Sequence, residues 1–446
     1  MPRGKKNDPN DVGVFNQLGI LLQDAGKFED CLSCYRKAIE LDPGFIEAYC
    51  NICTAFENWN RAEELSTFLK SLKSNFEPLP DELRFYEALI FHKQKKFKKC
   101  EEILARLDIG RIPSPPRKLA FLELKAKNLD ALKNFSTAFN AFVAMNKFLM
   151  ESWDYKRVEP ESYYKKLKSS LAELKNKNLS SPVPIQIKYR SVNPIFLIGF
   201  PRSGTTMLDM IIKSHSKIET IEEQPLIENS SEIIGGPYNI DRIEKMTIAE
   251  ITDAQNNYID ARKQFISQEN FDFIIDRHPM NILRVPFIHR IFPEAKFILA
   301  LRHPLDCILS CWMQNFAPNP GMANMTDLKR IAELYDLSMK ILDVSCQRYN
   351  LNIHHIKYEN IVDNFEYEIS KLLQYFNLEW ENNLSNFHKT AIKSGRIKTK
   401  SYSQVSQKLY KTSVYRWQNY ESKLVKEYSI VETWMTRFDY FFKGKS

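Results

Sequence analysis

The stretch Ile195-Phe196-Leu197-Ile198-Gly199-Phe200-Pro201-Arg202-Ser203-Gly204-Thr205-Thr206 constrains the fold more than any other part of the chain. An unbroken apolar run ends at Gly199. Met207, Leu208, Met210, Ile211 and Ile212 then follow with apolar side chains at three- and four-residue spacing. This pattern predicts a buried strand, a tight loop and a helix. Successive loop amides that lead into a helix N-terminus form a cradle for an anion. Gly199-x-x-x-x-Gly204 has the spacing of a phosphate-binding loop, but Thr205 stands where a lysine would reach the terminal phosphates of ATP. The positive charge comes instead from Arg202, inside the loop. A phosphate or sulfate group is the predicted ligand.

A chain of 446 residues is too long for one ordinary core, so two domains are expected. No apolar run approaches the roughly 20 residues of a membrane helix. The opening Met1-Pro2-Arg3-Gly4-Lys5-Lys6-Asn7 lacks the apolar stretch of a secretory signal. The expected setting is cytoplasmic, with no membrane association. Eight cysteines include two C-x-x-C spacings, Cys31/Cys34 and Cys50/Cys53, but no regular framework, and free thiols are expected rather than disulfides or zinc ligands. A net charge of +8 suits an anionic ligand, but basic residues are interleaved with acidic ones and give no support to nucleic-acid binding.

The first part of the chain reads as helical hairpins. Phe15, Leu18, Gly19 and Leu22 mark one helix, Cys31, Tyr35 and Ala38 a second, and Asp42-Pro43 ends the unit. These offsets resemble the tetratricopeptide repeat of about 34 residues. Tyr49, Ile52, Cys53 and Phe56 begin a second copy. Ala88, Phe91, Cys100 and Leu104 suggest a third hairpin, and Ala126, Leu129, Ala138 and Phe142 a fourth. One such unit cannot bury its apolar face alone, so several must stack into a solenoid. The surface so formed could hold a peptide or protein, or serve as a stabilising arm or homodimer contact. Residues 151–190 read as a connector that contains one exposed helix around Tyr163 to Leu174.

Further along, Glu222-Glu223 form an acidic pair in a turn-like segment beyond the loop helix. Phe271-Asp272-Phe273-Ile274-Ile275 predicts a second strand, ending in Asp276-Arg277-His278-Pro279. A short apolar run followed by Asp is also the form of a magnesium-binding strand, which keeps a P-loop kinase-like phosphotransferase as an alternative. Ala295 to Leu301 predicts a third strand, ending in Arg302-His303-Pro304. The proline suits a first helical position in a helix that carries Ser310. Arg302 would then project from a strand's carboxyl end, where open α/β sheets bind ligands and a guanidinium can grip phosphate through two hydrogen bonds. The fold class expected is an all-α repeat region over 1–150 and, over 191–446, an α/β domain with a P-loop-like parallel sheet flanked by helices.

Pro201-Arg202-Ser203-Gly204-Thr205-Thr206, taken with Arg302 and Ser310, resembles the cofactor signature of sulfotransferases that use 3′-phosphoadenosine 5′-phosphosulfate (PAPS). The match is to tetratricopeptide-repeat sulfotransferases and, through them, to tyrosylprotein sulfotransferases. The resemblance implies that Arg202, Ser203, Gly204, Thr205 and Thr206 hold the 5′-phosphosulfate and that Arg302 and Ser310 clamp the 3′-phosphate. It also implies that Ser401 and Arg416, within Ser401-Tyr402-Ser403-Gln404-Val405 and Ser413-Val414-Tyr415-Arg416-Trp417, contact the nucleotide. Glu222-Glu223 resemble the paired acids of the tyrosylprotein enzymes, whose second Glu is the general base. Three positions depart from that family: Arg277 replaces a catalytic lysine, His303 an Asp, and Pro225 an arginine on the acceptor side.

The chemistry expected is transfer of a sulfuryl group from PAPS to a hydroxyl, with Glu223 as base, Glu222 as the nearby alternative, and Arg202 and Arg277 stabilising charge. A guanidinium is too weak an acid to donate the proton. His215 and His278 are rival bases. No metal is expected. A repeat-based interaction module with an inactive enzyme domain is the remaining alternative.

Overall fold

The computed structural model describes residues 11–176, 194–266, 271–388 and 413–440. The chain divides between Phe148 and Leu149 into two units. In the first, the periodicity resolves into four helical hairpins: Val12–Asp24 with Phe28–Leu41, Ile46–Asn58 with Ala62–Leu72, Asp81–Lys93 with Phe97–Leu104, and Pro115–Ala131 with Phe135–Glu151. The repeat extends to the backbone of the turns. Gly26, Asn60, Lys95 and Lys133 each take a positive φ in the corresponding hairpin. The amide that follows each donates to a carbonyl five residues back, Lys27 to Leu22, Arg61 to Phe56, Lys96 to Phe91 and Asn134 to Leu129, at 2.8–3.0 Å. This is a left-handed helix cap, and only the first copy spells it with glycine.

Inside the first hairpin, Gly19 faces the ring of Tyr35, which is fully buried. A Cβ at position 19 would lie 2.5 Å from Tyr35 Cε1. The missing side chain therefore allows the two helices their close approach, and the Tyr35 hydroxyl donates to Gln23 Oε1 at 3.1 Å. Phe28, Tyr49, Phe56 and Leu69 carry the same core into the second hairpin.

The second unit is built on a five-stranded sheet in the order β2-β3-β1-β4-β5, with every pair parallel. The strands are β1 (Ile195–Gly199), β2 (Ile218–Glu222), β3 (Phe273–Arg277), β4 (Lys296–Leu301) and β5 (Ile353–Lys357). An interior parallel strand is covered on both faces and reads as a continuous apolar run, as β1 does. Ile195, Leu197, Ile275 and Ile298 pack against the helices Thr205–Ile212 and Phe365–Phe376. On the opposite face Phe196 stacks on Phe297, with ring centroids 5.8 Å apart, and meets Tyr258.

One expectation changes. The helix Pro160–Lys175 is not an exposed connector: it buries Tyr164, Leu167, Ser170 and Leu174. Arg330 lies 4.1 Å over the Tyr164 ring and pairs with Glu161 at 2.8 Å, while Glu173 accepts the amide of Ile240 at 2.7 Å. The charged residues between the leucines disguise an amphipathic helix of the second unit. All eight cysteines are free. Among the described residues, no helix is long and apolar enough to cross a membrane.

Gly19→Ala forces Tyr35 out of its seat, and overpacking of this kind costs about 1–3 kcal/mol. Chemical denaturation should show that loss in the helical-repeat transition. An unchanged midpoint would mean that the helices are not held by this contact.

Candidate active site

Strand order decides which residues meet. The carboxyl ends of β2, β3, β1 and β4 stand side by side, so Glu222, Arg277, the loop after Gly199 and Arg302 form one row along the edge of the sheet. Glu222 is in register with Arg277, Leu197 with Arg277, and Gly199 with Ala300.

At the centre, Gly199 admits the loop. A Cβ there would stand 2.6 Å from Ser203 Oγ and 2.7 Å from the Ala300 carbonyl. Gly204 has a φ of 98° and lies against Tyr358, whose Cδ2 a Cβ would meet at 2.9 Å. It also caps the helix Thr205–Ile212, which has no side-chain cap bond. The first amides of a helix have no partner within it, so this end presents donors and the positive pole of the helix to the loop. Ser203, Thr205 and Thr206 are buried here, and Ser203 Oγ makes no hydrogen bond. Arg202 adopts a φ of 70°, a conformation uncommon for a residue with a side chain. Its Nε donates to Ser310 Oγ at 3.0 Å, which joins the loop to the helix Pro304–Trp312.

Arg302 follows β4 and is almost fully buried. Its Nη1 donates to the Arg202 carbonyl at 3.2 Å and its Nη2 to the Ser413 carbonyl at 2.5 Å, while Nε makes no hydrogen bond. Tyr358 lies beneath the guanidinium at 5.2 Å, and Asp306 is 3.6 Å from Nη2. Asp306 also accepts the Trp417 amide at 2.8 Å. Burial raises the Asp306 pKa, with Arg302 and Arg416 among the groups that oppose the rise. Arg416 is half-buried and begins the 3-10 segment Arg416–Lys423. Trp417 is a core residue stacked on His303 at 4.9 Å. Ser401 and Tyr402–Val405 lie outside the described residues.

On the other side of the loop, Arg277 is fully buried. Its Nη1 is 2.5 Å from Glu223 Oε1, its Nη2 is 2.5 Å from Glu222 Oε1, and its Nε is 3.6 Å from Asp209 Oδ2. Burial works against the guanidinium charge, but Asp209, Glu223 and Glu222 together raise its pKa. Burial pushes the Asp209 carboxyl up to about 6 although Arg277 opposes it. Glu223 keeps 41% of its side chain exposed. Its φ is 47°, and its amide donates to the Arg277 carbonyl at 2.8 Å. Arg202 and Glu223 thus both hold a left-handed backbone conformation. Asp209 is the residue that the sequence reading passed over. Its signal is a lone carboxylate in the apolar helix Met207-Leu208-Asp209-Met210.

The rival histidines are placed differently. His215 Nδ1 receives the Lys217 amide at 3.1 Å and Nε2 faces the Glu379 carbonyl at 3.1 Å, so both nitrogens serve the fold. His278 is pushed down to about 3 by burial and by the charges of Arg284 and Arg277. Asp276, the residue behind the kinase-like alternative, is likewise committed to the fold. Asp276 points into the core, where the Tyr258 hydroxyl donates to it at 3.3 Å, and burial pushes its pKa up to about 7.

Residues 194–382 match the sulfotransferase family, and residues 13–45 match the tetratricopeptide repeat. This chain carries a sulfotransferase-family domain. Over 430 residues the chain is 25% identical to an uncharacterized protein of Aquifex aeolicus (strain VF5), covering 92% of this chain and 54% of that protein. It is 22% identical over 226 residues to protein-tyrosine sulfotransferase 1 of Danio rerio, covering 49% of this chain and 62% of the relative. The chain thus spans about half the length of the Aquifex protein. Among solved structures it resembles the sulfotransferase domain from the curacin biosynthetic pathway, at 16% identity and a TM-score of 0.39, covering 55% of this chain and 98% of that one. The candidate loop, both arginines at the strand ends and the acidic pair all fall inside the sulfotransferase-family match.

Arg277→Ala would leave three carboxylates facing one another around a lost cation. Removing one partner from a buried ion cluster costs about 3–5 kcal/mol. Urea unfolding of the sulfotransferase domain should show a loss of that size. A change below about 1 kcal/mol would mean that water already screens the cluster.

Proposed function

We propose that the domain transfers a sulfuryl group from PAPS to a hydroxyl acceptor, with Glu223 as general base. The observation that carries this reading is the row of strand ends. It sets an uncapped, arginine-bearing anion loop between a second arginine for phosphate and an exposed carboxylate. Residues 191–446 are taken as the catalytic domain and 1–150 as the repeat region.

The residues fit the donor. The free amides at the start of Thr205–Ile212, the unbonded Ser203 Oγ and Thr205-Thr206 would receive the 5′-phosphosulfate. Arg202, already drawn to Ser310, would add charge there. Arg302 would hold the 3′-phosphate through its unbonded Nε and by exchanging the Ser413 carbonyl for phosphate, with Ser310 and Arg416 in the same role, which the family resemblance extends to Ser401. PAPS supplies an activated sulfuryl group on a phosphate leaving group.

Glu223 takes the proton of the acceptor hydroxyl as its oxygen bonds to sulfur. The sulfur–oxygen bond to phosphate breaks, and its electron pair leaves with the phosphate. Preorganised donors act most strongly where charge develops, which is here the departing phosphate. Arg277 keeps Glu223 and Glu222 aligned. The position of Asp276 removes the support for a kinase reading. The tetratricopeptide unit supports a role in holding a peptide or protein partner.

Arg202→Ala and Arg302→Ala should each weaken binding of 3′,5′-phosphoadenosine (PAP) about tenfold or more, read by calorimetry. Glu223→Gln should keep PAP affinity within about twofold while lowering turnover about 10²–10⁴-fold. Stabilisation by Mg-ATP but not PAP would replace this reading with phosphoryl transfer. Binding of neither, with a peptide bound by the repeats, would leave an interaction module.

A further inference from the structure

Gly26, Asn60, Lys95 and Lys133 hold the same positive-φ place in the four hairpin turns. Residues at equal distances before them therefore occupy equivalent places on the first helix of each hairpin. Three of these places face backward, towards the preceding hairpin. One residue before the second turn, Trp59 packs on Phe28 of the first hairpin, with ring centroids 5.0 Å apart. Eight residues before the third turn, Glu87 pairs with Lys73, the cap of Ala62–Leu72, at 2.9 Å. Five residues before the fourth, Asn128 donates to the Phe97 carbonyl and to Glu101 of the third hairpin, each at 3.1 Å.

In the first hairpin the same places hold Ala25, Leu18 and Leu21, and Val14 continues the row. At the place of Val14 the later hairpins bury Ala48, Leu83 and Phe121. No described hairpin stands behind the first. Val14 is 52% exposed, Leu18 43% and Leu21 65%, and Ala25 is exposed with them. The outer face of a terminal repeat is ordinarily polar. This one is an apolar row at four-, three- and four-residue spacing, the pattern of a seam between paired helices.

The ends of the row carry opposite charges. Asp11 caps the start of Val12–Asp24, with one carboxylate oxygen on the Gly13 amide at 2.7 Å, and the exposed Lys27 follows its end. Neither forms an ion pair among the described residues. An identical helix laid antiparallel sets Leu18 against Leu21 and Val14 against Ala25 of the second copy. It also brings Asp11 beside Lys27 at both ends, whereas a parallel pairing would set Asp11 on Asp11. The face is complementary to itself, and an isologous contact of this kind closes at two copies. Residues 2–11 include no leucine, isoleucine, valine or aromatic side chain to cover the row from within the chain.

We propose that Val14, Leu18, Leu21 and Ala25 form a homodimer seam, on which the first helix of a second copy packs antiparallel. The seam is short against the roughly 800 Å² per partner of a standard stable interface, so the dimer forms at micromolar rather than nanomolar concentration. It does not depend on the sulfuryl-transfer reading.

Sedimentation velocity of the full chain from about 1 to 200 μM should show a monomer–dimer equilibrium. Leu18→Glu and Leu21→Glu each put carboxylates into the seam and should raise the dissociation constant about tenfold or more, with helix content by circular dichroism unchanged. Lys27→Glu sets carboxylates together only in the antiparallel pair, and should weaken the dimer about threefold at low salt. A chain that stays monomeric throughout, or a dimer indifferent to both leucine variants, overturns the seam. Indifference to Lys27→Glu overturns the antiparallel pairing.

Discussion

The sulfotransferase domain depends on one buried cation. Arg277 ends β3 and holds Asp209 of the loop helix, Glu222 of β2 and Glu223 of the following turn. The loop helix at Asp209 and the strand end at Glu222-Glu223 are both tied to β3 by one guanidinium whose planar fork can serve several carboxylates at once. Taking such charges out of water is costly, and the cluster persists because each charge is met. The contact that orders the sheet edge also fixes the position of Glu223.

The anion loop is secured from the other side by similar means. Arg202 reaches Ser310, and Arg302 returns a bond to the Arg202 carbonyl, so loop and clamp hold each other. In the proposed reaction both arginines would meet the phosphates of the donor. Gly199 and Gly204 make this compactness possible for different reasons, one by close approach to Ala300 and the other by its φ. His303, Trp417 and Glu359 form the packing beneath: the His303 amide is received by Glu359, which also accepts from Tyr440.

The helical unit shows how a repeat can persist where its letters have drifted. Its second, third and fourth turns place Asn60, Lys95 and Lys133 in a left-handed conformation that Gly26 adopts without strain. Each turn is held by the same backbone bond. Periodicity of Ala88, Phe91, Cys100 and Leu104 showed the hairpin but not its kinship, because a lysine gives no turn signal. Tyr163 to Leu174 misled in the opposite sense, its lysines masking a buried face.

Local pattern by itself determined the strand, loop and helix at residues 195–212, the helix start at Pro304 and the hairpins, because each rests on near-neighbour periodicity and backbone chemistry. It also singled out Arg202, Arg302 and the pair Glu222-Glu223, since charged residues at the ends of apolar strands stand out, whereas the roles expected of Glu223, Arg277 and Ser310 came from the resemblance to sulfotransferases. Tertiary structure alone decided their order along the sheet, because strand order is not written in chain order. It alone showed that Asp209 joins Arg277, that Asp276 turns into the core beside Tyr258, and that His215 serves the fold. Those outcomes depend on which face of a strand or helix meets a partner some 20 to 160 residues away, and only closing the sheet sets that.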